Sequence, residues 1–87
     1  MSKVRMYCTA TCPYCMRAET LLEKRGATIE KIRVDLDPGL WDEMEKITGR
    51  DTVPQIFIGE LHVGGYDDVI DLDMDDELVP LLEAVAT

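Results

Sequence analysis

Two cysteines one helical turn apart, Cys12 and Cys15, lie between a short apolar run and a stretch of helical periodicity. Val4, Met6 and Cys8 alternate with Arg5, Tyr7 and Thr9, the period of a strand with one buried face. Downstream, Tyr14, Ala18, Leu21 and Leu22 recur at helical spacing, and Gly26 is a natural stop after Lys24-Arg25. Pro13 suits the first helical position, which makes Cys12 the N-cap. The chain must therefore run from a strand directly into a helix whose first residues carry thiols.

The rest of the chain extends this pattern. Ile32, Val34 and Leu36 alternate with charged residues, so 28–35 reads as a second strand. Asp37-Pro38 caps a second helix with Leu40, Met44 and Ile47 on one face, and Gly49 ends it. Gln55-Ile56-Phe57-Ile58 and Leu61-His62-Val63 flank Gly59-Glu60, the signature of a short hairpin. From Gly64-Gly65 onward the spacing is helical again, through Val69, Ile70 and Leu72 and then Leu78, Leu81, Leu82 and Val85. Asp73 to Asp75 mark a place where this last region can split.

The predicted order is β-α-β-α-β-β-α, an α/β fold with four strands. A β-α-β start requires a parallel pair and the later hairpin adds antiparallel strands, giving a mixed sheet flanked by helices on both faces. With no repeat or linker in 87 residues, the sequence predicts a single domain over 1–87.

Composition narrows the class. No apolar run approaches the roughly eighteen residues of a membrane span. Met1-Ser2-Lys3-Val4-Arg5 leads into a six-residue segment instead of a signal-peptide core, so neither export nor membrane association is expected. Three cysteines, an odd number, do not make a secreted disulfide framework, so a cytoplasmic, reducing location is expected. A C-x-x-C pair beside a β-α-β pattern then reads as a redox motif. The net charge of −9 is uneven: residues 1–50 hold all 9 basic groups and 8 acids, and residues 51–87 hold 10 acids and no Lys or Arg. That argues against a nucleic-acid partner, and the acidic half reads as a solubilising face.

The thiolate is the reactive form of cysteine. At a helix N-terminus, unpaired backbone N–H groups and the helix dipole stabilise a negative sulfur. Cys12 is therefore the expected nucleophile. Cys15, one turn inside, is shielded and is the expected resolving thiol, placed to displace a mixed disulfide and form a 12–15 bridge. Pro13 fixes the helix entrance, and Tyr14 is either exposed beside the sulfur or an ordinary surface tyrosine. Thr52-Val53-Pro54 opens an apolar strand on a proline, which belongs at a strand start or edge. Spacing alone favours a plain trans turn there; a cis bond would free Val53's N–H and C=O for a peptide-like ligand. In Gly64-Gly65-Tyr66-Asp67-Asp68 the carboxylates either cap the following helix or hold an ammonium group.

Thr11-Cys12-Pro13-Tyr14-Cys15, Thr52-Val53-Pro54-Gln55-Ile56-Phe57-Ile58 and Gly64-Gly65-Tyr66-Asp67-Asp68 together resemble the glutaredoxins, most closely the bacterial dithiol type, over nearly the whole chain. The resemblance implies a thioredoxin fold, a cis peptide before Pro54, and glutathione as co-substrate lying along Thr52 and Val53. It implies that the γ-glutamyl carboxylate is held around Tyr66 and Asp67, with the amino group near Asp68. It further implies a monomeric glutathione-dependent reductase of glutathionylated and disulfide-containing proteins, with ribonucleotide reductase a candidate partner and no metal. Many family members carry a lysine at the position of Thr9, which is uncharged here. Arg50, just before Asp51-Thr52, is the cation expected near the same groove.

Other classes were weighed on the same residues. The alternative function is binding or carrying a glutathione-ligated iron–sulfur cluster. Cys8-x-x-x-Cys12-x-x-Cys15 formally matches a [4Fe–4S] spacing, but Pro13 and the retained Cys15 favour redox exchange. Cys8 reads as a half-buried strand residue, and His62 alone is weak evidence for zinc. Trp41 and the methionines read as core or helix surface. A pure binding module would lose no activity on mutation of Cys12.

Overall fold

The computed structural model describes residues 4–85; residues 1–3, part of the amino-terminal segment weighed above, and residues 86–87 lie outside the described residues. Its elements are β1 (Val4–Cys8), α1 (Pro13–Lys24), β2 (Ile29–Arg33), α2 (Pro38–Thr48), β3 (Gln55–Ile58), β4 (Leu61–Gly64), α3 (Tyr66–Met74) and α4 (Leu78–Ala84). The strands form one sheet in the order β2-β1-β3-β4. β1 pairs parallel with β2 and antiparallel with β3, and β3 pairs antiparallel with β4 through a register shift between Ile56 and Phe57.

Helices cover both faces, so both sides of the central strands are dry. On one side Val4, Met6, Cys8, Ile56 and Ile58 pack against Ala18 and Leu22 of α1, Val69 of α3, and Leu78 and Leu82 of α4. On the other, Tyr7 and Phe57 pack against Val34 and against Met44 of α2. Tyr7, placed by simple alternation among the polar positions of β1, is instead buried, its ring edge-on to Phe57 with centroids 6.0 Å apart. Period-two alternation marks one wet face, and a strand covered twice has none. Met44 is fully buried and anchors α2 to this second layer; truncating such a side chain to alanine costs about 2–5 kcal/mol.

Helix ends follow the sequence signals. Asp37 accepts a hydrogen bond from the Gly39 N–H at 2.8 Å, and Gly49 closes α2 in the left-handed region at φ 70°. Two expectations need correction. The second strand stops at Arg33 instead of reaching 35, and Leu36 is 73% exposed beyond it. Ile47, expected on the apolar face of α2, is exposed because Met44 and the half-buried Leu40 and Trp41 already fill that contact. The final helical region does split within Asp73 to Asp75: the chain breaks after Met74, Asp76 takes φ 59° and the Glu77 N–H returns to the Leu72 carbonyl. The redirected α4 buries Leu78 and Leu82, which a straight continuation of α3 would carry past the sheet.

Candidate active site

The turn from β1 into α1 places Cys12 at the helix N-cap with extended backbone (φ −92°, ψ 109°) and Pro13 in the first turn. The Cys15 N–H donates to Cys12 Sγ at 3.2 Å, so an otherwise unpaired N–H of the first turn points at the sulfur. Cys12 is 9% exposed and Cys15 3%. Burial, reinforced by the hydrogen bond to Cys12, pushes the Cys15 thiol up to about 12, while a backbone N–H at Thr9 opposes this. The two sulfurs thus sit one turn apart in different surroundings. Cys12 meets the helix start and the surface, and Cys15 lies beneath it as a neutral thiol.

The second wall comes from distant sequence. The Cys12 thiol faces the Val53 carbonyl oxygen at 3.8 Å, and the Val53–Pro54 bond is cis. A groove of about 270 Å³ runs from here, lined by Tyr14, Arg50, Thr52, Val53, Pro54 and Gln55 and by Gly65 to Asp68 at the start of α3. All the site positions singled out in the sequence therefore come together. Cys12, Pro13 and Cys15 form the turn at one end, while Tyr14, Thr52, Val53, Pro54, Tyr66, Asp67 and Asp68 line the groove. Tyr14 is 54% exposed, and its ring lies 6.1 Å from that of Tyr66 across the opening.

At the far end Asp68 turns back on its own helix. Its Oδ2 accepts from the Gly65 N–H at 2.9 Å and lies 3.3 Å from Arg50 Nη1. Of the two roles open to these carboxylates in the sequence, Oδ2 performs the capping one, and it also pairs with Arg50. Arg50 reaches the groove because its N–H donates to Thr48 Oγ1 at 3.0 Å just beyond α2. Gly64, at φ 120°, makes room for this arrangement, since a Cβ there would collide with the Asp68 carboxylate.

Gln55 is a contributor the sequence reading passed over. It is 1% exposed; its Nε2 donates to the Thr52 carbonyl at 2.9 Å, and its Oε1 pairs with His62 Nε2 at 2.8 Å. Burial lowers the pKa of His62, with Arg50 adding to the effect, so the neutral ring donates from Nε2. The signal was present: a glutamine opening an otherwise apolar four-residue strand must find partners once buried. The same pairing ties His62 into the network between β3 and β4. Cys8 lies with Cys15 along a separate cleft of about 190 Å³ near Lys31 and Arg33, and burial raises its pKa.

Comparison with known proteins supplies the context. Residues 4–63 match the glutaredoxin family model. The chain is 45% identical over 83 residues to glutaredoxin 3 of Escherichia coli K12, covering 95% of this chain and 100% of that protein. It is 46% identical over 84 residues to a glutaredoxin of Pseudomonas aeruginosa, covering 97% and 100%. Among solved structures, a buckwheat glutaredoxin–glutathione complex superposes with a TM-score of 0.90 at 31% identity, covering 97% of this chain and 79% of that one. The sheet order and flanking helices are those of the thioredoxin fold.

Proposed function

We propose that this chain, which belongs to the glutaredoxin family and so to a group of thiol–disulfide oxidoreductases, reduces glutathione mixed disulfides and protein disulfides with glutathione as co-substrate. The observation that carries the reading is the position of Cys12. Its sulfur receives the Cys15 N–H and faces the Val53 carbonyl at the mouth of a groove that ends at a second helix N-terminus.

Glutathione suits this groove for chemical reasons. It is a peptide with a carboxylate at each end and one ammonium group. Its cysteinyl backbone pairs with Val53, an edge of extended chain. The γ-glutamyl carboxylate meets first-turn N–H groups of α3 at Tyr66 and Asp67, where unpaired donors and the helix dipole favour an anion. The ammonium lies against Asp68, whose Oδ1 has no protein donor among the described residues. Arg50 contributes positive potential at the Asp68 end of the groove. The binding of glutathione in the buckwheat relative supports the same ligand here.

The chemistry follows in balanced steps. The Cys12 thiolate attacks the glutathione sulfur of a mixed disulfide; a Cys12–glutathione bond forms, the old S–S bond breaks, and the leaving thiolate takes a proton from solvent. A second glutathione thiolate attacks the bound glutathione sulfur, producing oxidised glutathione and restoring the Cys12 thiolate. With a protein disulfide, Cys12 first forms a mixed disulfide with the substrate. Cys15 then loses its proton, attacks Cys12 Sγ and releases the substrate dithiol, leaving a 12–15 bridge that two glutathiones reduce. The raised Cys15 thiol suits this order: part of the elevation comes from Cys12, and that contribution disappears once Cys12 is bonded in a disulfide.

The test is glutathione-dependent reduction of a small mixed disulfide, coupled to regeneration of reduced glutathione, with wild type and Cys12→Ser compared. Wild type should turn over and Cys12→Ser should fall to background. Equal rates for the two proteins would sink the proposal.

A further inference from the structure

Beside the groove, α1 carries a second surface that the chemistry above does not use. A shallow cleft of about 400 Å³ runs along its outer face, lined by Met16, Arg17, Thr20, Leu21, Lys24 and Tyr66. Tyr66 also lines the glutathione groove, so the two depressions lie side by side with this ring as a common wall. Met16 is 64% exposed, a large apolar side chain presented to solvent next to the reactive turn.

Arg25, Lys31, Arg33 and Arg50 are each held in an ion pair. Like Arg5 and Lys46, the two cations of this strip, Arg17 and Lys24, form no ion pair among the described residues, and they alone flank an apolar cleft beside the site. Arg17 lies over the Tyr14 ring, 5.7 Å from its centroid. Lys24 is near enough to Asp73 to lower its pKa, but that carboxylate is gripped by Arg25 at 2.7 and 3.0 Å. In a chain of net charge −9, two free cations flanking an apolar cleft beside the site form a local complement to acidic sequence.

We propose that this cleft docks the polypeptide half of the substrate, as an extended segment bearing two carboxylates four residues apart with an apolar side chain midway between them, all three on the face turned to the helix. The inference rests on the reading that the groove takes the glutathione half. Its geometry follows from the helix. Arg17 and Lys24 are seven residues apart, two turns, hence on one face and about 10 Å apart along the axis. An extended chain advances about 3.3 Å per residue and turns alternate side chains to one face, so carboxylates at i and i+4 span about 13 Å, a distance the long Arg17 and Lys24 side chains reach by splaying outward. The intervening apolar side chain meets Met16 and Leu21. The acidic remainder of the protein repels such a segment elsewhere, so the strip orients it as well as attracting it.

The experiment uses two synthetic peptides, each with a glutathionylated cysteine, followed in one by Asp-Ser-Leu-Ser-Glu and in the other by Lys-Ser-Leu-Ser-Lys. At low salt kcat/KM for the acidic peptide should exceed that for its twin by about tenfold, and the difference should fade at high salt. The Arg17→Glu/Lys24→Glu variant should lose the preference while turning over the glutathione mixed disulfide of 2-mercaptoethanol at the wild-type rate. An unreactive acidic peptide with serine for cysteine should shift the amide resonances from Arg17 to Lys24, a readout that stands even if the protein catalyses nothing. Equal rates for both peptides, a preference that survives the double variant, or resonance shifts located elsewhere would overturn the proposal. So would concentration-dependent self-association abolished by the same variant, which would assign the strip to a second copy of the chain.

Discussion

The Cys12 thiol lies 3.8 Å from the carbonyl oxygen of Val53, across 41 residues of chain. This contact joins the helix N-cap, a local feature, to the turn before β3, which only the sheet brings alongside. β3 lies next to β1 in the sheet, and the end of β1 delivers the cysteines. The Cys12 sulfur and the backbone before β3 therefore share one edge of the molecule.

Cys15→Ser should separate the two activities. Deglutathionylation needs only Cys12, so turnover of a small glutathione mixed disulfide should persist, whereas reduction of a protein disulfide should fall to background and leave a trapped mixed disulfide visible by mass. Equal loss of both activities would contradict the division of labour.

Burial holds the Cys15 thiol up at about 12 and raises that of Cys8 as well. Alkylation of the reduced protein with iodoacetamide at neutral pH should therefore modify Cys12 alone. The raised thiol contributes stability below its ordinary value of about 8.5, and the contribution is lost as pH rises toward the folded value. Labelling of Cys15 should accordingly appear only on the alkaline side, and peptide mapping across a pH series checks both statements.

Gly64→Ala should damage the groove without touching the cysteines. The substitution places a Cβ against the Asp68 carboxylate and within 3.1 Å of Arg50 Nη1, at a backbone φ of 120°. A stability loss of about 1–3 kcal/mol is expected from the backbone conformation. KM for a glutathione substrate should rise more than kcat falls. Urea unfolding and steady-state kinetics read the two effects separately.

Gln55→Leu should leave the Thr52 carbonyl and the His62 ring without their partner. Losing the partner of a buried polar group costs about 1–3 kcal/mol. Because Thr52 lines the groove, KM for glutathione substrates should rise as well; an unchanged KM with full stability would remove Gln55 from the site.

Acid should weaken the fold through two ion pairs. Arg33 holds the Asp35 carboxyl down at about 2, and Arg25 lowers that of Asp73. Both folded values lie below the unfolded value of about 3.9, so their stabilisation is complete above about pH 4 and is lost as pH falls toward 2. Urea midpoints should decline over that window, and Asp73→Asn should make the decline shallower.

Much of this molecule was legible in one dimension. Cys12-Pro13 set the N-cap of α1, Asp37 and Gly49 bounded α2, and Gly59-Glu60 made the hairpin, because capping, proline geometry and tight turns depend on neighbours within a few residues. The motifs also located the groove, since Thr52 to Pro54 and Gly64 to Asp68 carried a family resemblance that spacing alone could not supply.

What the chain could not reveal by itself depends on packing across the sheet. Tyr7 looked half-polar until α2 covered its side of β1, and the course of α4 beyond the break was fixed by where Leu78 and Leu82 could reach the core. Gln55 gained its role from His62 on the neighbouring strand and from the Thr52 carbonyl. Asp68 found Arg50 eighteen residues away in sequence. The sequence by itself determined which sulfur sits at a helix start, because that is local backbone geometry. Only the tertiary structure decided what faces that sulfur, because strand order, not sequence distance, sets which side chains and carbonyls share an edge.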